Sequence, residues 1–382
     1  MTLALLILAA LTTLLLCAML VDFAIGLRGV RPLAQLTPSQ TGPLVSIIAA
    51  ARNEARGIEA ALTSVLQLDY PALEMIVVDD RSTDETGAIL DRLARLHPRL
   101  KVKHISALPE GWLGKNHALS VGAEAASGEL LLFTDADVVF EPTALRRAVG
   151  FMEREGLDHL AAIPDVRVPG LALSAFVTAF GVLFLLYARP WKARDPKSPY
   201  HIGVGAFNLI RSAVYRAIGT HRAIAMRPDD DLKLGKLVKK RGFRQDVVHG
   251  KDFIMVEWYS SLGEMIDGLM KNAFAGVDYS LVTLAGSTVA LLLMNIWPFV
   301  ALLITHGVTR ALNGASIMLI GLLFWTSTGY AFGRLGYVLA FPAAVLLFVY
   351  IMWRSALVAV IRGTVTWRGT AYPLAQMRAN RV

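Results

Sequence analysis

Three apolar stretches decide the fold of this chain: LVSIIAA (44–50), EMIVVD (74–79) and LLLFT (130–134). Each is continuously apolar rather than alternating, which indicates strands that are buried on both faces of a parallel sheet. Segments with helical periodicity lie between or beside them, at 55–67, 83–97 and 115–126. This alternation of strands and helices predicts an α/β fold with a doubly wound, Rossmann-like sheet.

Acidic residues follow two of these strands. Asp79 and Asp80 end one strand, and Asp135 and Asp137 come directly after another. In a doubly wound fold, ligands bind at the carboxyl edge of the sheet, where the strands end. Two carboxylates at D-x-D spacing can reach the same ion, and oxygen ligands select a hard cation, Mg²⁺ or Mn²⁺. The alternative interpretation of each acidic pair is a loop or helix cap.

A third acidic group, the run Asp229–Asp231, precedes a predicted helix that starts with Leu-Lys-Leu-Gly. Two like charges about 4 Å apart repel by about 1 kcal/mol in water and by about 4 kcal/mol at an effective dielectric of 20. The run therefore favours a site that faces a cation or needs a base of raised pKa. A solvated acidic loop is the alternative.

A single lysine stands at another predicted helix start. Lys115 follows glycines in GWLGK (111–115). Backbone N–H groups at a helix start favour phosphate, and a lysine adds a positive charge there. The alternative is an ordinary surface lysine.

The chain of 382 residues has 55% apolar and 18% charged residues, and the apolar excess lies near the two ends. This composition excludes a plain soluble globule and a disordered chain, and the single cysteine, Cys17, excludes a disulfide scaffold. Met1–Val21 is long enough to predict an uncleaved anchor; a cleaved signal peptide is the alternative. Three C-terminal stretches are further candidate spans: Leu281–Ile304, Ala315–Phe332 and Leu335–Ile361.

These features predict four regions: a membrane anchor (1–27), an α/β domain (43–276), a transmembrane region (281–361) and a basic tail (362–382). Arg28 and Arg31 follow the anchor, which places the α/β domain in the cytoplasm under the positive-inside rule. One anchor plus three spans would put the tail arginines outside, against the same rule. Leu171–Tyr187 and Trp258–Phe274 are expected to be buried or interfacial helices.

The motifs, taken together, resemble the inverting family 2 glycosyltransferases of the GT-A fold, over roughly residues 44–276. The GWLGK motif, the anchor and the C-terminal Trp367-Arg368-Gly369 look like the ceramide-glucosyltransferase-like branch, which includes hopanoid- and carotenoid-associated bacterial enzymes. The segments that carry the family resemblance are VSIIAAARNE (45–54), VVDDRSTDET (77–86), FTDAD (133–137), GVGAFNLIRSAVYRAIG (203–219) and DDDLKLG (229–235).

The resemblance implies a mixed GT-A sheet and a role for each matching residue. Ala50 and Glu54 should line the nucleotide-base pocket, and Asp80 should contact the uridine. Asp135 should contact the ribose or the metal, and Asp137 the metal-bound diphosphate. Asp231 is favoured as the general base, with Asp230 as the alternative. Lys115 is expected to neutralise the leaving diphosphate.

The sequence departs from the family on the acceptor side. Many membrane members carry Gln-x-x-Arg-Trp on an interfacial helix, whereas this chain has GLMKNAFAG (268–276). Lys271 is expected to replace the arginine and Phe274 the tryptophan. This departure argues against a processive, polymer-making enzyme.

The expected protein is an integral membrane enzyme of a bacterial-type inner membrane. It would transfer a sugar from a nucleotide-diphosphate sugar, UDP-sugar in most of the family, to the hydroxyl of a membrane lipid. The net charge of +8 suits phosphate or an anionic lipid surface, and no basic-aromatic module predicts nucleic-acid binding. The alternatives are a processive polysaccharide synthase and a membrane transporter or scaffold that binds nucleotide sugar.

Overall fold

The computed structural model describes residues 3–327 and 335–382. The chain divides into two compact units. The sheet unit comprises Val30–Arg167, Pro190–Trp258 and Ala375–Val382, and the helical unit comprises Met1–Gly29, Val168–Arg189 and Tyr259–Leu374. The boundaries of the four predicted regions differ from the boundaries of these two units, and they stay a prediction.

The sheet unit contains one mixed sheet of nine strands. The strands are β1 (Arg31–Pro32), β2 (Val45–Ala51), β3 (Leu73–Asp80), β4 (Leu100–Ile105), β5 (Leu130–Asp135), β6 (Val139–Phe140), β7 (His159–Arg167), β8 (Asn208–Arg211) and β9 (Gln245–Glu257). Their spatial order is β4-β3-β2-β5-β8-β7-β9-β1, and β6 pairs with β9. β4, β3, β2 and β5 run parallel, whereas β8 is antiparallel to both of its neighbours. The sheet confirms the predicted α/β class.

The helices occupy both units. In chain order they are α1 (Leu3–Arg28), α2 (Ile58–Leu66), α3 (Thr86–Leu96), α4 (Gly114–Glu124), α5 (Ala144–Glu155), α6 (Leu171–Ala188), α7 (Ser212–Ala217), α8 (Asp230–Lys240), α9 (Leu262–Ala273), α10 (Leu281–Asn295), α11 (Trp297–Ile304), α12 (Gly307–Ser327), α13 (Phe341–Arg362) and α14 (Leu374–Ala379). α2 and α3 lie within two of the segments predicted to be helical, and α4 begins one residue before the third.

Burial explains why the central strands form. Every residue of β3 is buried, and β2 and β5 are buried except for Ala50 and Asp135. Their apolar side chains pack into a large core with α2 and α5 on one face, and against α4 and α8 on the other. Polar groups are thereby confined to the ends of the strands, which is where the candidate site lies.

The helical unit has the opposite distribution of apolar side chains. Among the described residues, all the large apolar side chains that are strongly exposed belong to this unit, except Leu96. Within the unit, the hydroxyl group of Thr13 contacts the Leu312 carbonyl and the Ser316 hydroxyl, which joins α1 to α12. Phe180 packs edge-on against Phe348, which joins α6 to α13. An apolar surface of this kind suits a lipid environment.

Four helices within the described residues are long and apolar enough to cross a membrane, or five if a bent helix pair counts as one span. They are Leu3–Arg28, Leu171–Lys192, Gly307–Ser327 and Gly336–Arg362, and the bent pair is Leu262–Val277 with Leu281–Asn295. The predicted span 281–304 is divided into α10 and α11, with Pro298 near the start of the second helix. Residues 328–332 of another predicted span lie outside the described residues.

The predicted basic tail has regular structure. The two short strands β10 (Thr364–Trp367) and β11 (Thr370–Pro373) pair antiparallel as a hairpin. Its turn is formed by Arg368 and Gly369, both with positive φ, which is the backbone that a tight two-residue hairpin turn requires. Residues 375–382 then belong to the sheet unit.

Candidate functional site

The carboxyl ends of three adjacent parallel strands form the base of the site. In the sheet register, Ala51 of β2 lies opposite Asp79 of β3, and Ala50 lies opposite Asp135 of β5. The acidic ends of β3 and β5 therefore flank the end of β2. This arrangement agrees with the sequence prediction that the first two acidic motifs share one edge of the sheet.

Lys115, at the start of α4, joins the second acidic motif to the third. Its ammonium lies 2.8 Å from Asp135 Oδ1 and 3.4 Å from Asp230 Oδ1. Burial lowers the pKa of Lys115, but Asp135, Asp230 and Asp231 raise it by more, so the net pKa is above its ordinary value. The lysine is therefore charged, and it holds acidic residues that are almost a hundred positions apart in the sequence.

Asp80 lies against the same helix start. Arg81 Nε donates a hydrogen bond of 2.7 Å to Asp80 Oδ1, and Arg81 Nη2 donates one of 3.1 Å to Oδ2. A Cβ on Gly114 would lie 2.2 Å from Asp80 Oδ2, so only glycine fits at the residue before Lys115. The three sequence-predicted residues Asp80, Lys115 and Asp135 thus lie around the first turn of α4.

The members of the run Asp229–Asp231 have three different environments. Asp229 accepts two hydrogen bonds, of 2.8 and 2.9 Å, from the buried guanidinium of Arg227. Asp230 contacts Lys115, as described above. Asp231 Oδ2 accepts a 2.8 Å hydrogen bond from the Gly205 backbone N–H, and its Oδ1 accepts one from Leu232 N–H. The residues of the run are therefore not interchangeable.

Gly205 brings the second and third acidic motifs to one point. A Cβ built on this glycine would lie 2.7 Å from Asp135 Oδ2 and 3.6 Å from Asp231 Oδ2. Both carboxylates therefore face the same backbone position. Gly205 belongs to the segment 203–219, one of the segments that carry the family resemblance.

Two carboxyl groups of the site have raised pKa values. Burial and the neighbouring Asp230 raise the pKa of Asp231 to about 7, although Lys115 acts in the opposite direction. Burial, together with the charges of Asp135 and Glu54, raises the pKa of Asp137 above its ordinary value. Asp231 is thus able to take up a proton near neutral pH.

The loops after β2 and β3 are linked to each other. Asn53 and Arg81 adopt left-handed backbone with φ of 55° and 57°. The Thr83 N–H donates to Asn53 Oδ1, and the Asn53 N–H donates to the Ser82 hydroxyl. Next to this link, the Glu54 N–H donates to the Thr86 hydroxyl, which fixes the backbone of the predicted base-pocket residue.

Sequence analysis missed two residues that position the site, Asn116 and Arg227. The side-chain amide of Asn116 donates to the backbone carbonyls of residues 224, 225 and 227, and thereby fixes the residue next to Lys115. Arg227 holds Asp229. In the sequence, only the position of Asn116 next to Lys115 in GKNH (114–117) indicated that it could belong to the site. Nothing in the sequence around Arg227 indicated a role for that residue.

The predicted acceptor-side residues belong to the helical unit. Lys271 Nζ lies 4.0 Å from the centroid of the Trp367 ring, which is a cation–π contact. Phe274 is buried and packs edge-on against Tyr279. The GLMKNAFAG segment and the C-terminal hairpin, two features that the sequence singled out separately, are therefore in contact.

The residues at the site are compatible with a divalent cation, although they do not form a complete protein cage. Within residues 3–327 and 335–382, no group of three or more His, Cys, Asp or Glu side chains is arranged to hold a metal ion. Mg²⁺ sites commonly use only one or two carboxylates, with water and substrate phosphate supplying the remaining ligands. Burial and the nearby Asp135 and Glu54 raise the pKa of Asp137, and a cation bound there would offset the repulsion between these carboxylates.

Comparison with known proteins agrees with this geometry. Residues 46–219 match the family model described as Glycosyl transferase family 2. The match covers less than half of the chain, and it agrees with the expected family 2 glycosyltransferase domain. The matched region includes Asp80, Lys115, Asp135 and Asp137, and ends before the run Asp229–Asp231.

Two curated relatives resemble parts of the chain. A beta-monoglucosyldiacylglycerol synthase from Nostoc sp. is 36% identical over 115 residues, which are 30% of this chain and 24% of that protein. A 4,4'-diaponeurosporenoate glycosyltransferase from Staphylococcus haemolyticus is 23% identical over 243 residues, 63% of each chain. The chain spans only 24% to 36% of the length of three curated relatives that are 33% to 36% identical to it.

A solved structure resembles nearly the whole chain. The mannosyltransferase PcManGT from Pyrobaculum calidifontis, in complex with GDP-Man and Mn²⁺, has a TM-score of 0.51 at 18% identity. The match covers 94% of this chain and 98% of that one. At this identity the likeness shows the fold alone, and it agrees with the GT-A prediction.

Proposed function

We propose that this protein is a membrane-bound, inverting and non-processive glycosyltransferase. It takes a sugar from a nucleotide-diphosphate sugar, with UDP as the expected nucleotide, and transfers it to the hydroxyl group of a membrane lipid. The observation that carries the proposal is the position of Lys115 between Asp135 and Asp230, with Asp231 next along α8. This lysine brings the end of the donor-side strand together with the proposed base.

The proposed base is Asp231. Its Oδ2 is oriented by the Gly205 N–H and its pKa is about 7, so it can accept the proton of an attacking hydroxyl group near neutral pH. The hydroxyl oxygen would attack the sugar C1 on the face opposite the leaving diphosphate, which inverts the anomeric centre. Asp230 contacts Lys115 directly and is the alternative base.

The other site residues would hold the donor. We assign Ala50, Glu54 and Asp80 to the nucleoside side, and Lys115 to the diphosphate, where its positive charge opposes the negative charge that develops on departure. Asp135 and Asp137 would hold Mg²⁺ or Mn²⁺. When bound, the ion would supply further neutralisation of the diphosphate.

A lipid acceptor is supported by the helical unit and by the relatives. Nearly all of the strongly exposed large apolar side chains belong to this unit, and the names of two relatives refer to a monoglucosyldiacylglycerol and to diaponeurosporenoate. We infer an integral protein of a bacterial-type inner membrane whose sheet unit is cytoplasmic. Lys271, which contacts Trp367 of the hairpin, and Phe274, which packs against Tyr279, are proposed to act on the acceptor side.

Incubating membranes with a panel of labelled nucleotide sugars and then extracting lipids tests the proposal. We expect label in the organic phase, and we expect the Asp231→Asn variant to lose it. Label confined to insoluble polymer would instead support a processive polysaccharide synthase. Bound nucleotide sugar with no product in either phase would support the transporter or scaffold alternative.

A further inference from the structure

The segment that leads into the acidic run is held by side-chain amides rather than by regular structure. Residues 225–229 connect a short 3₁₀ helix, His221–Ile224, to the start of α8. Buried backbone polar groups in such a segment need partners, and an unmet partner costs stability. Two asparagines, Asn116 and Asn380, supply several of these partners.

Asn116 holds the segment from the side of α4. Its Nδ2 lies 2.8 Å from the Ile224 carbonyl and 2.8 Å from the Arg227 carbonyl. The Leu113 N–H also donates to the Ala225 carbonyl at 2.9 Å. These contacts link the position of Lys115 to that of the segment.

Asn380 holds the same segment from the C-terminal tail, about 155 residues further along the chain. Its Nδ2 donates a 3.0 Å hydrogen bond to the Ala223 carbonyl, and its Oδ1 accepts a 2.9 Å hydrogen bond from the Met226 N–H. Val382 packs against the apolar cluster that includes Ile224. Both ends of the Asn380 amide are therefore used on one short stretch of backbone.

The segment is connected directly to the site. Arg227 follows Met226 and binds Asp229, and α8 begins at the next residue with Asp230 and Asp231. Asp231 depends on the Gly205 N–H for its orientation. A displacement of residues 223–227 would therefore be transmitted over four to eight residues to the proposed base, Asp231.

We propose that Asn380 is a positioning residue for the Asp229–Asp231 run, so that the C-terminal tail completes the catalytic site. The inference rests on the proposed function, because it assigns the reaction's base to this run. The acceptor proton goes to Asp231, and Asn380 touches neither substrate nor reacting atoms. Its effect is to fix the distance between the base and the donor.

Hydrogen–deuterium exchange tests the contact without reference to any activity. We expect Asn380→Ala to raise exchange in peptides covering 223–231, because the Met226 N–H loses its acceptor. Asn380→Asp keeps an acceptor for this N–H and should raise exchange less, and it serves also if the alanine variant does not fold. Arg381→Ala, which removes an exposed neighbouring side chain, is the matched control and should leave exchange unchanged.

Turnover tests the positioning role. Small misplacements of a catalytic group cost up to about a hundredfold, so we expect kcat for Asn380→Ala to fall by about tenfold or more. The KM for the donor should stay unchanged, and Asn380→Asp should recover part of the lost kcat. A purely structural role would instead lower the amount of active protein and leave the kcat of the folded fraction intact.

The outcomes separate this inference from the proposed function. Unchanged exchange in 223–231, or unchanged kcat despite raised exchange, overturns the role of Asn380 and leaves the proposed function standing. An equal fall in kcat for Arg381→Ala also overturns it. If the unmodified protein transfers no sugar from any donor, the proposed function fails, and the exchange measurement still decides whether Asn380 orders the segment.

Discussion

Carboxyl groups near the two ends of the central strands have pKa values that are shifted in opposite directions. At the amino end, Glu74 of β3 is hydrogen-bonded by the Lys101 ammonium, the Ser46 hydroxyl and the Ser127 N–H. Burial alone would raise the pKa of Glu74, but these bonds lower it to about 2. Near the carboxyl end, Asp231 in the first turn of α8 has a pKa raised to about 7. The amino end stabilises a permanently charged group, whereas the carboxyl end keeps one ready to change its charge.

The same contrast occurs within three residues at the start of α8. Asp229 is paired with the buried Arg227, and Asp231 has backbone N–H donors but no hydrogen-bonded cation of its own among the contacts described. The difference indicates that an acidic residue next to the proposed base can act through a structural contact and not on the reacting atoms. Substitutions at these positions should therefore separate effects on activity from effects on stability.

Asp231→Asn should have the largest effect. We expect transfer to fall by about 10²–10⁴-fold, which is the usual contribution of a general base, because the amide cannot accept the acceptor proton. Donor binding, measured by isothermal titration with UDP and Mn²⁺, should be retained. Full activity in this variant would refute the assignment, and a larger loss in Asp230→Asn would move the base to Asp230.

Asp229→Asn should act on stability instead. It removes the charge that pairs with a buried guanidinium, and breaking such a pair costs about 3–5 kcal/mol. We expect a clearly lower thermal unfolding temperature in detergent, with donor affinity retained in the folded fraction. Unchanged thermal stability would contradict the view that Asp229 serves the fold.

The Glu74 cluster should make the protein acid-sensitive. Because the pKa of Glu74 is lower in the folded chain than its ordinary value of 4.5, its contribution is complete above that pH and is lost as the pH falls toward 2. This shift in the pKa of Glu74 corresponds to a contribution of about 3 kcal/mol to the free energy of unfolding. Glu74→Gln should flatten the loss of stability over this pH range, whereas Glu59→Gln, at an exposed pair with Arg92, should not.

The pH dependence of transfer gives the smallest predicted change. Since Asp231 must be unprotonated to act, the rate should rise with pH through about 7 and then level off. Asp230 raises the pKa of Asp231, so Asp230→Asn should move this rise to lower pH. A rate profile that is flat between pH 5 and about 8 would show that no group with this pKa controls the reaction.

The sequence predicted the parts of the fold that depend on local pattern. Continuous apolar runs identified β2, β3 and β5 because these strands are buried on both faces. It did not predict β8 or β9. β8 is only four residues long and pairs antiparallel between β5 and β7, and such pairing depends on chain segments that are distant in sequence.

For the site, too, the sequence predicted only the residues that follow a local pattern. Asp80, Asp135 and Asp137 follow predicted strands, so their common edge could be inferred. The roles of Gly205, Asn116 and Asn380 depend on backbone hydrogen bonds across the fold, which no spacing in the sequence reveals. The sequence does not reveal which residue of Asp229–Asp231 pairs with a buried cation, because the contact between Arg227 and Asp229 is visible only in the folded chain.

The return of residues 375–382 to the sheet unit restricts how the chain can be threaded through a bilayer. Residues 30–167, 190–258 and 375–382 form one folded body, so all three occupy the same compartment. In a bilayer, each intervening stretch would then cross an even number of times or not at all. A lone α6 would therefore not be a single crossing, and the helices of 259–374 would contribute crossings in pairs. Arg378 and Arg381 consequently share the compartment of Arg31, as charge bias along the chain would favour.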